Sequence, residues 1–196
     1  MRGIYIKRIF SLCLILVSLS TQGCKDNPTE NKENLEPIDF LPVNYDIEGW
    51  TKSLAENDYI YATSSKQLEQ IVGADYDIYV KYKFQKGVKQ IYEGKIGGAD
   101  ETLEVRIFDQ LSMEYSQDLY HDKKIAPTTT YSILPNTGDE ARIQRIIESG
   151  TLIDFYYDKF YVWISISGRW GETEARAVAR VFAIEISDKI RQLYNP

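Results

Sequence analysis

Thr151-Leu-Ile-Asp-Phe-Tyr-Tyr157, then Asp158-Lys159, then Phe160-Tyr-Val-Trp-Ile-Ser-Ile166: two runs of β-branched and aromatic residues meet at a two-residue polar break. That pattern predicts a β-hairpin. With Asp158-Lys159 at the tip, Tyr157 pairs with Phe160, Phe155 with Val162 and Ile153 with Ile164. Side chains alternate along a strand, so these pairs share one face, which is wholly apolar and belongs on a core. The opposite face carries Tyr156 against Tyr161, Asp154 against Trp163, and Leu152 near Ser165. The outer face of a half-buried sheet is usually polar, so three aromatic rings and a carboxylate there need a reason. Two are open. A helix or the 126–138 loop covers them, or Tyr156, Tyr161 and Trp163 form a platform for a flat ligand with Asp154 accepting hydrogen bonds at its edge. A turn longer by one residue would exchange the two faces.

The reading extends outward from the hairpin in both directions. A third run, Ala141–Ile147, precedes it and completes an antiparallel meander. Beyond Gly168 and Gly171, Glu172 and Glu174 stand at a helix start, where the helix dipole favours anions. Val178, Phe182, Ile186, Ile190 and Leu193 then recur at spacings of four and three, the stripe of a helix lying on a sheet. Toward the amino terminus, Val88–Ile96 and Leu103–Phe108 flank Gly97-Gly98-Ala99-Asp100 as a second hairpin. Ser112 opens a helix over Met113–His121, and Ser64 or Ser65 opens another through Leu68 and Ile71 that Gly73 ends. Residues 76–84 fit a strand by alternation and a helix with Ile78 and Tyr82 inward, and both remain open. Residues 126–138 read as a long surface loop, and Trp50 marks the start of the core. The fold class is α+β: an antiparallel sheet with a long C-terminal helix and one or two shorter helices packed on it, as one domain over 46–196.

The 196 residues carry 23 Lys and Arg against 29 Asp and Glu, a net charge of −6, which disfavours nucleic acid as a partner. Chemistry-bearing motifs are sparse. The single histidine, His121, cannot supply a zinc site and has no nucleophile motif for a triad, so it reads as a solvated helix-end residue. No nucleotide-binding glycine loop occurs, and neither a cofactor nor a metal is expected. The sequence-close acids Asp75/Asp77, Asp139/Glu140 and Glu172/Glu174 are the candidates for carboxylate-dependent hydrolysis, and no flanking pattern singles one out. Aromatic residues are abundant, 15 Tyr, 7 Phe and 3 Trp, which suits either core packing or contact with sugars, peptides and proteins.

The amino terminus carries an address. Arg2, Lys7 and Arg8 precede an apolar run, Ile9 to Leu19, interrupted only by Ser11, Cys13 and Ser18 and too short to cross a bilayer. Thr21-Gln22-Gly23-Cys24 follows and resembles the lipobox of bacterial lipoproteins; the alternative is an ordinary signal peptide with an incidental cysteine. The resemblance implies removal of residues 1–23 and fatty acylation of Cys24 (the palmitate class of anchor); residues 25–37 hold a single large apolar residue, so residues 24–45 read as the acylated Cys and a flexible tether. Removal takes away three cations and no anions, leaving 20 cations against 29 anions, a charge of −9. A chain that acidic is held to a membrane by its lipid, not its surface. Lys25, rather than Asp, after the cysteine implies the outer membrane in a cell with two. No thiol beyond Cys24 would remain, which excludes disulfides and thiolate chemistry.

Gly49-Trp50, Leu68, Ile71, Gly73, Tyr79, Tyr82, Phe84, Phe108-Asp109, Ser112, Glu114 and Phe160-Tyr161-Val162 together resemble a family of uncharacterised bacterial exported proteins defined only as a domain of unknown function. The resemblance implies export and brings no activity. The functional expectation is a non-catalytic, lipid-anchored envelope module that binds an envelope glycan or protein. The alternative is a carboxylate-dependent envelope glycan hydrolase.

Overall fold

The hairpin forms in the expected register. In the computed structural model of the chain, β7 (Gly150–Tyr157) and β8 (Phe160–Ser167) pair Tyr157 with Phe160, Phe155 with Val162, Ile153 with Ile164 and Asp154 with Trp163. Asp158 makes the turn at φ 49. The structure describes residues 34–127, 131–146, 150–167 and 172–194. The expectations for Arg2, Lys7, Arg8, Cys13, the Thr21–Cys24 segment, residues 128–130, Ile147, Gly168, Gly171 and the Glu172 side chain fall outside the described residues.

Among the described residues eight antiparallel strands form one sheet, seven of them in the order β1-β3-β4-β8-β7-β6-β5. They are β1 (Thr51–Lys52), β2 (Tyr59–Ala62), β3 (Lys86–Ile96), β4 (Ala99–Asp109), β5 (Tyr131–Ile133), β6 (Glu140–Ile146), β7 and β8, with β2 beside β1 along the same edge of β3. Gly97 and Gly98, at φ 59 and 88, make a two-residue turn between Ile96 and Ala99, tighter than the four-residue break expected. The fold class is α+β, as the sequence reading has it.

One face of the sheet lies under α4 (Glu172–Tyr194). Phe182, Ile186 and Ile190 are fully buried against Ile153, Phe155, Val162 and Ile164, each side chain contributing about 1.5–3 kcal/mol. Ala175, Ala179 and Ala183 share this stripe and let the helix approach closely. Leu193 does not belong to the stripe: it is 44% exposed, and Tyr194, four residues after Ile190, packs edge-on against Phe160 instead. Trp50 enters this core as expected, its ring covering the space a Cβ at Gly94 would need and standing edge-on to Phe182.

Elsewhere the structure resolves one open reading and corrects two others. Residues 76–84 resolve as helix: α2 (Tyr76–Lys81) buries Ile78 and Tyr79 one beside the other, and Lys83 ends it at φ 62. α1 (Ser65–Val72), capped by Ser64 and closed by Gly73 at φ 65, and α3 (Met113–His121), capped by Ser112, are the further shorter helices among the described residues. The domain also begins earlier than residue 46. Pro37–Phe40 forms a 3₁₀ turn, and Phe40 and Leu41 are buried in the α4-side core because Phe40 meets Phe160 edge-on. Lastly, the 126–138 segment is not all loop, since β5 pairs with β6 and Leu134 is buried.

These helices decide the fate of the aromatic face. Leu68, Ile71, Ile78, Tyr79, Leu119 and Tyr120 form a second core with Phe108, Tyr156 and Tyr161, and Trp163 packs partly against it. Tyr156 and Tyr161 are therefore no solvent platform: α1, α2 and α3 cover them, so the sheet is buried on both faces.

Candidate functional site

Asp154, expected at the rim of a platform, is 2% exposed. Its partner is Arg142, directly opposite on β6. Arg142 Nε donates to Asp154 Oδ1 at 2.8 Å and Nη2 to Oδ2 at 2.6 Å, a bidentate pair. Tyr161 OH also donates to Oδ2 at 2.9 Å. Burial pushes the Asp154 carboxyl above its ordinary value, against the pull of Arg142 and the Tyr161 hydroxyl. Burial also holds the Tyr161 phenol well above its ordinary value, so it stays a donor. Buried and held by three donors, Asp154 presents no oxygen to solvent.

The cross-strand row continues on both sides of this pair. Trp163 stands beside Asp154 on β8, and its ring carries the Arg106 guanidinium from β4 at 4.1 Å. Trp163 is the one platform residue that keeps partial exposure. On the other side the Arg142 guanidinium lies 4.0 Å from the Tyr120 ring centre and 6.0 Å from that of Tyr131, between α3 and β5.

Beside Arg142, the end of α3 and the β5–β6 connection enclose a cavity of about 260 Å³. Its rim is held in place by the backbone. Leu134 N–H donates to Ala141 O at 3.0 Å, Asp139 N–H to Tyr156 O at 2.8 Å, and Gly138 N–H to Ser187 Oγ at 2.9 Å. Gly138 has φ 59, and a Cβ there would run into the Tyr156 carbonyl, so only glycine fits. Glu140 faces the cavity with its Oε1 accepting from Tyr156 OH at 3.0 Å and lying 3.3 Å from His121 Nε2. Burial foremost, then the Glu140 hydrogen bond, pushes Tyr156 up to about 12.

The other sequence candidates stay apart. Asp75 and Asp77 are both exposed, as is Glu174. Asp139 spends Oδ2 on the Asp158 N–H at 2.8 Å. His121 is exposed at the helix end, as expected. Among the described residues no three His, Cys, Asp or Glu side chains are grouped to hold a metal ion. A larger open groove of about 700 Å³ lies along the β3–β4 hairpin, lined by Glu93, Lys95 and Asp100, with Glu101 bonded to Ser167 Oγ at 2.5 Å.

Arg142, Tyr120 and Tyr131 are the site residues that sequence reasoning missed. The available signal was Asp154, the single charged residue on β7, which an opposite charge on a neighbouring strand must neutralise. No protein-family model, curated protein or solved structure matches this chain.

Proposed function

We propose that this protein is a lipid-anchored binding module of a bacterial cell envelope, without catalytic activity, whose ligand site is the cavity beside Arg142. The observation that carries the anchoring is the sequence from Arg2 to Cys24: a cationic start, an apolar run too short to span a bilayer, and a terminal Gly-Cys. Within the described residues no helix is long and apolar enough to cross a membrane, and a lipid would supply the attachment. Ten peptide units separate Cys24 from Asn34, where the described chain begins, and cannot extend beyond about 35 Å. An acylated Cys24 would therefore keep the domain, and its cavity, close to the lipid surface. Lys25 after the cysteine favours the outer membrane where there are two.

The binding role rests on the state of the carboxylates. Asp154 is buried under Arg142 and Tyr161, Asp139 holds the Asp158 N–H, and Glu140 accepts from Tyr156 OH, so each of these carboxylates is engaged in holding the fold. That leaves a walled, polar and aromatic recess suited to recognition. The test is metabolic labelling of the full chain with a fatty-acid analogue. Wild type is expected to take the label and sediment with membranes, while Cys24→Ala stays unlabelled and folded. Equal labelling of Cys24→Ala would refute the anchor.

A further inference from the structure

The cavity between α3 and the β5–β6 connection has a size and charge pattern that select among ligands. Its 260 Å³ is below the roughly 300–1,000 Å³ of sites for drug-sized molecules and equals about nine waters at ~30 Å³ each. One substituted six-membered ring fits; a nucleotide or an acyl chain does not. Arg142 is already neutralised by Asp154, so the remaining full charges on the lining are the carboxylates of Asp139 and Glu140. An anionic ligand meets net repulsion there. A cation gains little, because it would sit beside the Arg142 guanidinium and compete with Tyr156 and His121 for Glu140. A neutral ligand rich in hydroxyls suffers neither cost.

The side chains at the mouth suit such a ligand. Tyr131 is 49% exposed and lines the cavity, and an aromatic face is attracted to the C–H face of a sugar ring. Glu140 retains Oε2 as an acceptor for a hydroxyl, and the exposed Asn136 offers an amide that both donates and accepts. Ile133, 77% exposed, extends the lining outward along β5, so a chain of sugars can continue past the mouth. The rim needs little ordering when a ligand arrives, since Leu134, Gly138 and Asp139 are already fixed by their N–H bonds.

We infer that this cavity binds one uncharged sugar residue of a glycan chain, stacked on Tyr131 and hydrogen-bonded by Glu140 and Asn136. The inference rests on the binding-module reading and names what the site takes. It is tested on the full chain in a zwitterionic detergent by saturation-transfer NMR. The probes are cellobiose, maltose and the β-linked N-acetylglucosamine disaccharide, with glucuronic acid and trilysine as charged controls. At least one neutral disaccharide is expected to bind at a millimolar or tighter Kd, and to bind more tightly than either charged probe. Tyr131→Ala and Glu140→Gln should each weaken that binding about tenfold or more while the melting temperature stays at the wild-type value. No transfer to any neutral disaccharide at millimolar concentration overturns the inference, as does tighter binding of glucuronic acid or trilysine, or undiminished binding in both variants. Fatty-acid labelling of the same protein separates the readings. Intact Cys24 labelling without sugar binding removes the ligand assignment alone, and sugar binding without labelling removes the anchor alone.

Discussion

Arg142→Met removes the positive half of a pair that is 2–3% exposed on both sides and leaves the Asp154 carboxylate with Tyr161 as its only side-chain donor. Breaking one side of a buried ion pair costs about 3–5 kcal/mol, because the remaining charge is desolvated and uncompensated. For a chain of this size each kcal/mol lowers the melting temperature by roughly 2–4 °C, so the expected loss is about 6–20 °C. The loss also depends on pH. Asp154 already titrates above its ordinary value through burial, and without Arg142 it rises further. A raised carboxyl contributes stability that is full below the unfolded value near 4 and is lost as pH climbs through the folded value. The deficit of Arg142→Met should therefore be larger at about pH 8 than at about pH 5. The triple variant Arg142→Met, Asp154→Leu, Tyr161→Phe takes out all three hydrogen-bonding partners together and should recover most of the loss, since apolar replacements of buried pairs are often neutral or better. Urea unfolding at both pH values, with thermal scans, measures each quantity. A single variant that loses less than about 1 kcal/mol, or a triple variant no more stable than the single, would refute the electrostatic account.

Two further outcomes follow from side chains away from the cavity. Asp122 accepts the Lys124 N–H at 2.9 Å, Tyr82 OH at 2.8 Å and Lys81 Nζ at 3.0 Å, and these donors, the backbone N–H foremost, hold its carboxyl at about 2 against burial. A depressed carboxyl contributes stability that is present above the unfolded value near 4 and is lost as pH falls toward the folded one. Asp122→Asn should thus be less stable than wild type at neutral pH and lose less on acidification from about pH 4 to about pH 2, measured by urea midpoints; an unchanged acid slope contradicts this. Trp163→Ala removes a ring packed partly on the second core and under Arg106. It should cost about 2–3 kcal/mol, below the 3–5 of a fully buried aromatic, and thermal unfolding with no loss would contradict that placement.

The fold was legible wherever one face of an element carried the signal. The β7–β8 register follows from three apolar pairs and a two-residue turn, and α4 from its periodic stripe, because burial under one partner leaves a one-sided pattern. Leu193 misled because a spacing of three from Ile190 is as helical as the spacing of four that the structure uses to reach Tyr194. Residues 76–84 stayed ambiguous because Ile78 and Tyr79 are adjacent buried residues, a pattern that neither strict alternation nor a single helical stripe describes. The cavity was the least legible part. It joins Tyr120 of α3, Tyr131 of β5, Asn136 of the connection and Glu140 of β6. None of these residues marks the others in sequence.

The Arg142–Asp154 pair explains why β6 can stand beside β7 in only one way. A slip by one residue would carry Ile143 from the α4-side core to the helix-covered face and turn Arg142 toward Phe155 and Ile153. Apolar pairs alone penalise that slip in proportion to lost area. An unpaired guanidinium in the α4-side core adds the several kcal/mol of a stranded charge, and Asp154 would be stranded too. A slip by two keeps every face but separates Arg142 from Asp154 by a full strand repeat, so the pair discriminates where hydrophobic pattern cannot. The same placement fixes Glu140 next to Tyr156, and through Asp139 and Gly138 it fixes the cavity rim. On this argument the buried pair contributes less to net stability than to the position of the site. The triple apolar variant separates the two roles: its unfolding free energy should approach wild type while the amide resonances of residues 138–146 show more than one strand register. A single wild-type-like set of resonances would leave register to the apolar pattern alone.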